Sequence, residues 1–114
     1  MPHCVIEYTN NLSAEVDINN MVDVAFETIV QAGLFNQTAI KARAISYDHY
    51  KSGLSKDDYI HITIRILPGR TPKQKSTLSA LMLGNIGAIT PNTTSISIEI
   101  VDLDGDCYEK RVLE

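Results

Sequence analysis

The sequence predicts an α/β (α+β) fold in which two fused βαβ units form one four-stranded mixed sheet, with both helices on one face. Two observations lead to this prediction. Short segments rich in strand-forming residues occur in each half of the chain, at about 2–47 and 59–103, and in each half a stretch with helical periodicity separates them. Parallel strands need a crossover connection, and the predicted helix of each half supplies it.

The first half has the order strand, helix, strand. Residues 2–8 (PHCVIEY) and 39–47 (AIKARAISY) are rich in strand formers. Residues 13–32 carry apolar side chains at spacings of three and four, namely Ile18, Met21, Val22, Ala25, Phe26 and Ile29. Gly33 predicts the end of this helix, because glycine readily takes the left-handed conformation found there.

The second half follows a polar linker, residues 48–58. Residues 59–67 (YIHITIRIL) alternate between isoleucine and polar side chains, which is typical of a strand with one buried face. Residues 94–103 (TSISIEIVDL) are predicted as the last strand in the same way. The remaining segment, residues 104–114, is a polar tail or arm in a chain that we expect to form one domain over 1–114.

A second helix is predicted between these two strands. Thr71 is a suitable N-cap, Pro72 occupies the favoured first helical position, and Gln74 completes a capping box. The buried stripe of this helix is expected to consist of Leu78, Leu81, Met82 and Ile86. Gly87 and Pro91 are expected to end it.

The sheet face away from the helices is predicted to be half apolar. It carries His61, Thr63, Arg65, Ser97 and Glu99, but also Val5, Ile45 and Val101. In so small a domain, such a face indicates burial against other subunits, so we expect an oligomer. His61 lies in the middle of its strand and is expected to serve this interface rather than catalysis.

Composition excludes several functional classes. The chain has 114 residues and a net charge of −4, which disfavours the dense basic surface of a nucleic-acid binder. No apolar run approaches a membrane span of about 20 residues, and no signal peptide is evident, so we expect a cytoplasmic protein that does not bind membranes. Cys4 and Cys107 are too isolated for a disulfide framework or zinc site, and no metal or cofactor is predicted.

Pro2 is the most informative residue. If Met1 is removed, the chain begins with a secondary amine. A free α-amino group has a pKa of about 7.7–8.0, and both burial and nearby cations lower it. Such an amine would be matched to proton transfer at neutral pH. Alternatively, a Met-Pro start has no functional meaning.

Two segments resemble a known family. Residues 66–78 (ILPGRTPKQKSTL) are similar to the strand-to-helix turn of 4-oxalocrotonate tautomerase, a single βαβ unit that begins with proline. Residues 2–11 (PHCVIEYTNN) resemble the start of 5-carboxymethyl-2-hydroxymuconate isomerase, a fused member of the same tautomerase superfamily. The resemblance extends over about residues 2–102, whereas the C-terminal tail has no match.

The resemblance implies a role for four residues. Pro2 matches the general base, Arg70 the arginine that holds a substrate carboxylate, and Arg43 a further arginine. Lys41 stands where the isomerase has an arginine, and a lysine acts as a point charge where arginine binds a carboxylate through two hydrogen bonds. The implied activity is isomerisation of 5-carboxymethyl-2-hydroxymuconate in homoprotocatechuate breakdown by a homotrimer.

The residues alone favour a similar site. Lys41 and Arg43 are two apart on one strand and project from one face, and Arg70 precedes a helix N-terminus, which favours anions. Three cations near one amine suit a small-molecule carboxylate, although each of them could instead be a solvated surface residue. His3, beside Pro2, could tune the pocket, but adjacent strand residues face opposite sides, so its side chain is expected to point away from Pro2. Another tautomerase activity, such as phenylpyruvate tautomerase, or a ferredoxin-like binding domain without enzymatic activity stays open.

Overall fold

Four strands form one mixed sheet in the order β2-β1-β3-β4. The computed structural model describes residues 1–113, and its elements are β1 (His3–Thr9), α1 (Ile18–Ala32), β2 (Lys41–Tyr47), β3 (Tyr59–Ile66), α2 (Pro72–Ile89) and β4 (Ser95–Asp102). Strands β1 and β2 are parallel, β3 and β4 are parallel, and β1 is antiparallel to β3. The prediction of two βαβ units in one mixed sheet is confirmed.

Helix α1 begins later than the sequence pattern predicts. Residues Asn10–Ala14 form a separate 3₁₀ turn, and the α-helix starts only at Ile18. Its N-cap is Asp17, whose side chain accepts a hydrogen bond from the backbone N–H of Asn20 at 3.2 Å. The helix ends at Gly33 with a φ of 71°, as predicted.

Helix α2 has the predicted start but a different end. The Thr71 hydroxyl accepts a hydrogen bond from the Gln74 N–H at 3.1 Å, and the Gln74 side chain accepts one from the Thr71 N–H at 2.9 Å. Of the two residues predicted to end the helix, Gly87 lies inside it, since α2 continues to Ile89, whereas Pro91 follows directly after the Thr90 C-cap as predicted. One glycine weakens a helix by only about 1 kcal/mol, and Ile89, beyond Gly87, packs against the core.

Isoleucines dominate the sheet face under the helices. Those of β3 are fully buried, and those of β4 are partly buried against the same core: Ile60, Ile62, Ile64, Ile66, Ile96, Ile98 and Ile100. Full burial of such a side chain contributes roughly 1.5–3 kcal/mol. The predicted placement of the isoleucines under the helices is confirmed.

A polar network occupies the opposite sheet face, as expected. The Nδ1 atom of His61 lies 2.6 Å from the Ser97 hydroxyl, and its Nε2 atom lies 3.0 Å from a carboxylate oxygen of Glu99. The hydrogen bond from His61 holds the pKa of Glu99 below its usual range. Ile45 on the same face leaves 53% of its surface exposed in the single chain.

The tail after β4 turns back along the sheet. The Leu103 N–H donates to the carbonyl of Ile66 at 2.7 Å, and the Asp104 side chain caps a 3₁₀ turn over Gly105–Cys107. This turn directs the arm, residues 104–113, toward the edge of the sheet where β1 begins. Within residues 1–113, no helix is long and apolar enough to cross a membrane.

Candidate active site

The first residues of the chain lie at the end of the sheet where the central strand β1 begins, between cations from the neighbouring strands β2 and β3. We call this end of the strands the edge of the sheet. In the β1–β2 register, His3 pairs with Lys41 and Val5 with Arg43. In the β1–β3 register, His3 also pairs with Arg65. Since paired residues of adjacent strands share a face, His3 and these three cations project from the open face of the sheet, away from the helices.

The terminal amine is fixed at this edge. The ammonium group of Met1 donates a hydrogen bond to the Ala39 carbonyl at 3.1 Å. The buried Pro2 accepts one from the Lys41 N–H at 3.0 Å. Burial lowers the pKa of the Met1 amine, and the nearby charges of Lys110 and Lys41 lower it further. While Met1 is present, the Pro2 nitrogen is a tertiary amide without basicity.

His3 connects β2 to the C-terminal arm. Its Nδ1 atom lies 3.1 Å from Nη1 of Arg43, and its Nε2 atom lies 3.4 Å from the Tyr108 hydroxyl. The two aromatic rings meet edge to face, with centroids 6.4 Å apart. Burial lowers the pKa of His3, followed by the charges of Arg43 and Lys41. His3 therefore belongs to this cluster, although the sequence placed it only on the face away from Pro2.

Arg70 makes its contacts elsewhere, in the loop between α1 and β2. Its Nη2 atom donates to the Leu34 carbonyl at 2.7 Å, and its guanidinium lies 4.6 Å from the centre of the Phe35 ring. The groups that shift the pKa values of the amine and His3 include Lys41, Arg43, Arg65 and Lys110 but not Arg70. Within one chain, the structure thus assembles Lys41 and Arg43 around the N-terminus and leaves Arg70 beside Phe35.

A groove of about 310 Å³ lies on the helix side of the sheet, next to the contact of Arg70 with Leu34. Its lining comes from the end of α1, the loop after it and the first half of α2: Ala32, Leu34, Thr71, Lys73, Gln74, Thr77, Leu78 and Leu81. This lining is mostly uncharged and includes neither Pro2 nor His3. An amine that can transfer a proton and several cations that can bind an anion lie together at the sheet edge, and the lining of the groove contains no such combination.

The edge of the sheet suits binding of an anion next to a proton-transfer group. All side chains whose charges act on the amine and His3 are cations, and they would attract carboxylates. The nearby thiol of Cys4 is different, because burial raises its pKa to about 12 and keeps it protonated. The sequence analysis missed Tyr108 and Lys110, which reach this edge only because the arm folds back.

Comparison with known proteins identifies similar chains. The family model for 5-carboxymethyl-2-hydroxymuconate isomerase matches residues 2–110. The 5-carboxymethyl-2-hydroxymuconate Delta-isomerase of Escherichia coli is 27% identical over 73 residues, or 62% of this chain and 58% of that protein. The matched stretch thus spans less than two thirds of this relative's length.

Solved structures share the fold at low identity. A 5-carboxymethyl-2-hydroxymuconate delta-isomerase has a TM-score of 0.83 at 15% identity, covering 98% of this chain and 88% of that one. The corresponding isomerase from Deinococcus radiodurans R1 has a TM-score of 0.78 at 23% identity, covering 96% and 88%. A fused 4-OT, described as a wild-type symmetric trimer, has a TM-score of 0.77 at 13% identity, covering 96% and 93%.

The electrostatics of the edge predict the protonation of His3. We expect its ring to titrate below the usual value of about 6.5, and Arg43→Gln to raise its pKa because one neighbouring cation is lost. Since the folded-state value is lowered, the stability contributed by the neutral ring is present above about pH 6.5 and lost as the pH falls through the folded-state pKa. NMR titration of the ring protons measures both effects.

Lys56→Gln is the control for this titration. It removes the same charge from the loop before β3, at the far end of the sheet, and should leave the pKa of His3 unchanged. The described geometry would be contradicted by a His3 pKa at or above about 6.5. It would also be contradicted if the His3 pKa were the same in Arg43→Gln as in wild type.

Proposed function

Because the chain belongs to the 5-carboxymethyl-2-hydroxymuconate isomerase family, we propose that it is a cofactor-independent enol–keto isomerase acting on 5-carboxymethyl-2-hydroxymuconate in homoprotocatechuate breakdown. Its general base is the secondary amine of Pro2, freed by removal of Met1. One observation carries this proposal: the N-terminus is anchored among cations, where the Met1 ammonium donates to the Ala39 carbonyl at 3.1 Å and where burial, Lys110 and Lys41 lower the pKa of the Met1 amine. We expect the same surroundings to lower the pKa of a free Pro2 amine.

The proposed reaction moves one proton. Neutral Pro2 accepts the proton of the 2-hydroxyl group, the C–O bond becomes a carbonyl as electrons shift along the conjugated chain, and the ammonium of Pro2 returns the proton to a carbon further along. No oxidant or reductant is needed. Arg70 and Lys41, with Arg43, hold the carboxylates and stabilise the negative charge that develops on oxygen.

The resemblance also assigns Arg70 to a substrate carboxylate, although within one chain Arg70 makes its contacts with Leu34 and Phe35 rather than among the cations at the N-terminus. A guanidinium has five N–H groups, and one N–H group of Arg70 donates to the Leu34 carbonyl. The contact with the Phe35 ring holds its plane in place, which limits the entropy lost when a carboxylate binds. Arg70 therefore has donors left for a substrate.

We also propose that the protein works as a homotrimer. Its open sheet face carries exposed apolar side chains such as Ile45, which burial against other subunits would remove from water. The symmetric trimer described for the structurally similar fused 4-OT supports this assembly. A cytoplasmic location remains part of the proposal.

One residue favours a second candidate substrate. Lys41 presents a single point charge where the resemblance implies an arginine, and it lacks the fork that binds a carboxylate through two parallel bonds. A keto–enol acid with one carboxylate, such as phenylpyruvate, needs fewer cations. Parallel assays of both substrates distinguish the two activities.

The state of the N-terminus should decide activity. Protein freed of Met1 should ketonise 5-carboxymethyl-2-hydroxymuconate, whereas protein that retains Met1 should be inactive because its Pro2 nitrogen is an amide. Both forms can be prepared with and without inhibition of methionine aminopeptidase during expression, and intact mass identifies them. Their unfolding temperatures should agree. Equal rates from the two forms would falsify the Pro2 mechanism and favour a binding domain.

Removal of a proposed carboxylate-binding charge should impair turnover more than folding. We expect Arg70→Gln to lower kcat/KM about 10²–10³-fold, as for the loss of one oxyanion donor, and Lys41→Gln to lower it less. Initial rates and thermal unfolding measure the two effects. Lys56→Gln, in the loop before β3, is the charge-matched control and should retain wild-type kinetics. Unchanged kcat/KM in both site variants would refute this placement of the carboxylates.

A further inference from the structure

The C-terminal arm reaches the same edge of the sheet as the N-terminus. The Leu103 N–H binds the carbonyl of Ile66 at 2.7 Å, and the turn over Gly105–Cys107 packs beside Pro68. Tyr108 then lies with its ring edge to face against that of His3. Since 105 residues separate His3 from Tyr108 in sequence, only the folded chain brings them together.

The partners of His3 determine its tautomer. A guanidinium has donors and no acceptor, so Nδ1 of His3 must accept the hydrogen bond from Arg43 at 3.1 Å. Nδ1 therefore carries no proton. In the neutral ring the proton is on Nε2, which can donate to the Tyr108 hydroxyl 3.4 Å away. Arg43 thus determines the tautomer, and Tyr108 can accept the Nε2 proton of that tautomer and so hold the ring in the orientation that binds Arg43.

Arg43 gains a fixed position from this contact. Arg43 is exposed on strand β2, and without a partner its long side chain would sample many rotamers. Binding Nδ1 of His3 uses one of its five N–H groups and holds the guanidinium next to the first residue of β1. The remaining donors are then prearranged for a carboxylate, which reduces the entropy cost of binding.

We propose that Tyr108 and His3 are positioning residues for Arg43, so that the C-terminal arm holds the guanidinium ready for a substrate carboxylate. This proposal rests on the proposed function, in which Arg43 binds a carboxylate beside the Pro2 amine. It gives the arm a part in substrate affinity, whereas Pro2 carries out the proton transfer.

The test compares Tyr108→Phe with wild type in Met1-free protein. On 5-carboxymethyl-2-hydroxymuconate, Tyr108→Phe should raise KM about three- to tenfold, as expected when one weak hydrogen bond is lost, and leave kcat within about twofold. In an Arg43→Gln background the same substitution should have no further effect, because residues that act through one another are not additive. Tyr50→Phe, in the loop before β3, is the control and should leave both KM and kcat unchanged.

Rescue and spectroscopy separate positioning from general support of the fold. His3→Asn keeps an acceptor near the place of Nδ1 and should retain much of the affinity, while His3→Leu should lose it. Two-bond ¹H–¹⁵N NMR spectra should show His3 with its proton on Nε2. A proton on Nδ1, or a Tyr108→Phe effect that persists in full without Arg43, would overturn the proposal.

Failure of the proposed function is distinguishable from failure of this inference. Binding of glutarate, a dicarboxylate that is not isomerised, can be measured by calorimetry without turnover. If wild-type protein is inactive but Tyr108→Phe still weakens glutarate binding, the positioning role holds and the assigned reaction is wrong. If wild type is active and Tyr108→Phe changes neither KM nor glutarate affinity, the positioning role is wrong.

Discussion

The central position of β1 is the constraint on which the rest of the site depends. β1 pairs in parallel with β2 and antiparallel with β3, so His3 lies between Lys41 and Arg65. The same pairing binds the Pro2 carbonyl to the Lys41 N–H. A one-residue slip of β1 would move its buried side chains to the open face, so burial of Cys4 and Ile6 fixes the register. Packing of the core thereby sets the position of the N-terminus.

The same fixed register creates an unusual charge environment in an acidic protein. The chain carries a net charge of −4, yet cations surround the start of β1. Their mutual repulsion has a cost, and a bound carboxylate would relieve it. The cations also disfavour protonation of an amine, so in the proposed mechanism one cluster would both bind the substrate and activate the base. This double effect links electrostatics to the proposed chemistry.

The sequence predicted those features that depend on local patterns. Alternating isoleucines on β3, the capping box at Thr71 and the stop at Gly33 follow from short-range rules and are all present. The helix α2 continues past Gly87 to Ile89, which packs against the core, and stops before Pro91, so only the Gly87 part of the predicted end was wrong. Tyr108 and the lateral contact of His3 with Arg43 depend on tertiary folding of the arm and on side-chain reach, which no local pattern encodes.

The proposal that neighbouring cations activate the Pro2 amine as a base is tested most directly by an ¹⁵N NMR titration of Pro2 in protein freed of Met1. Labelled proline serves well, because only a terminal amine nitrogen ionises while the nitrogens of the other prolines are amides. We expect one ionisation of the Pro2 amine below the usual α-amino value of about 7.7–8.0, and a higher pKa after Lys41→Gln removes a neighbouring cation. A Pro2 pKa at or above that value, unaffected by Lys41, would contradict a base activated by the cationic edge of the sheet.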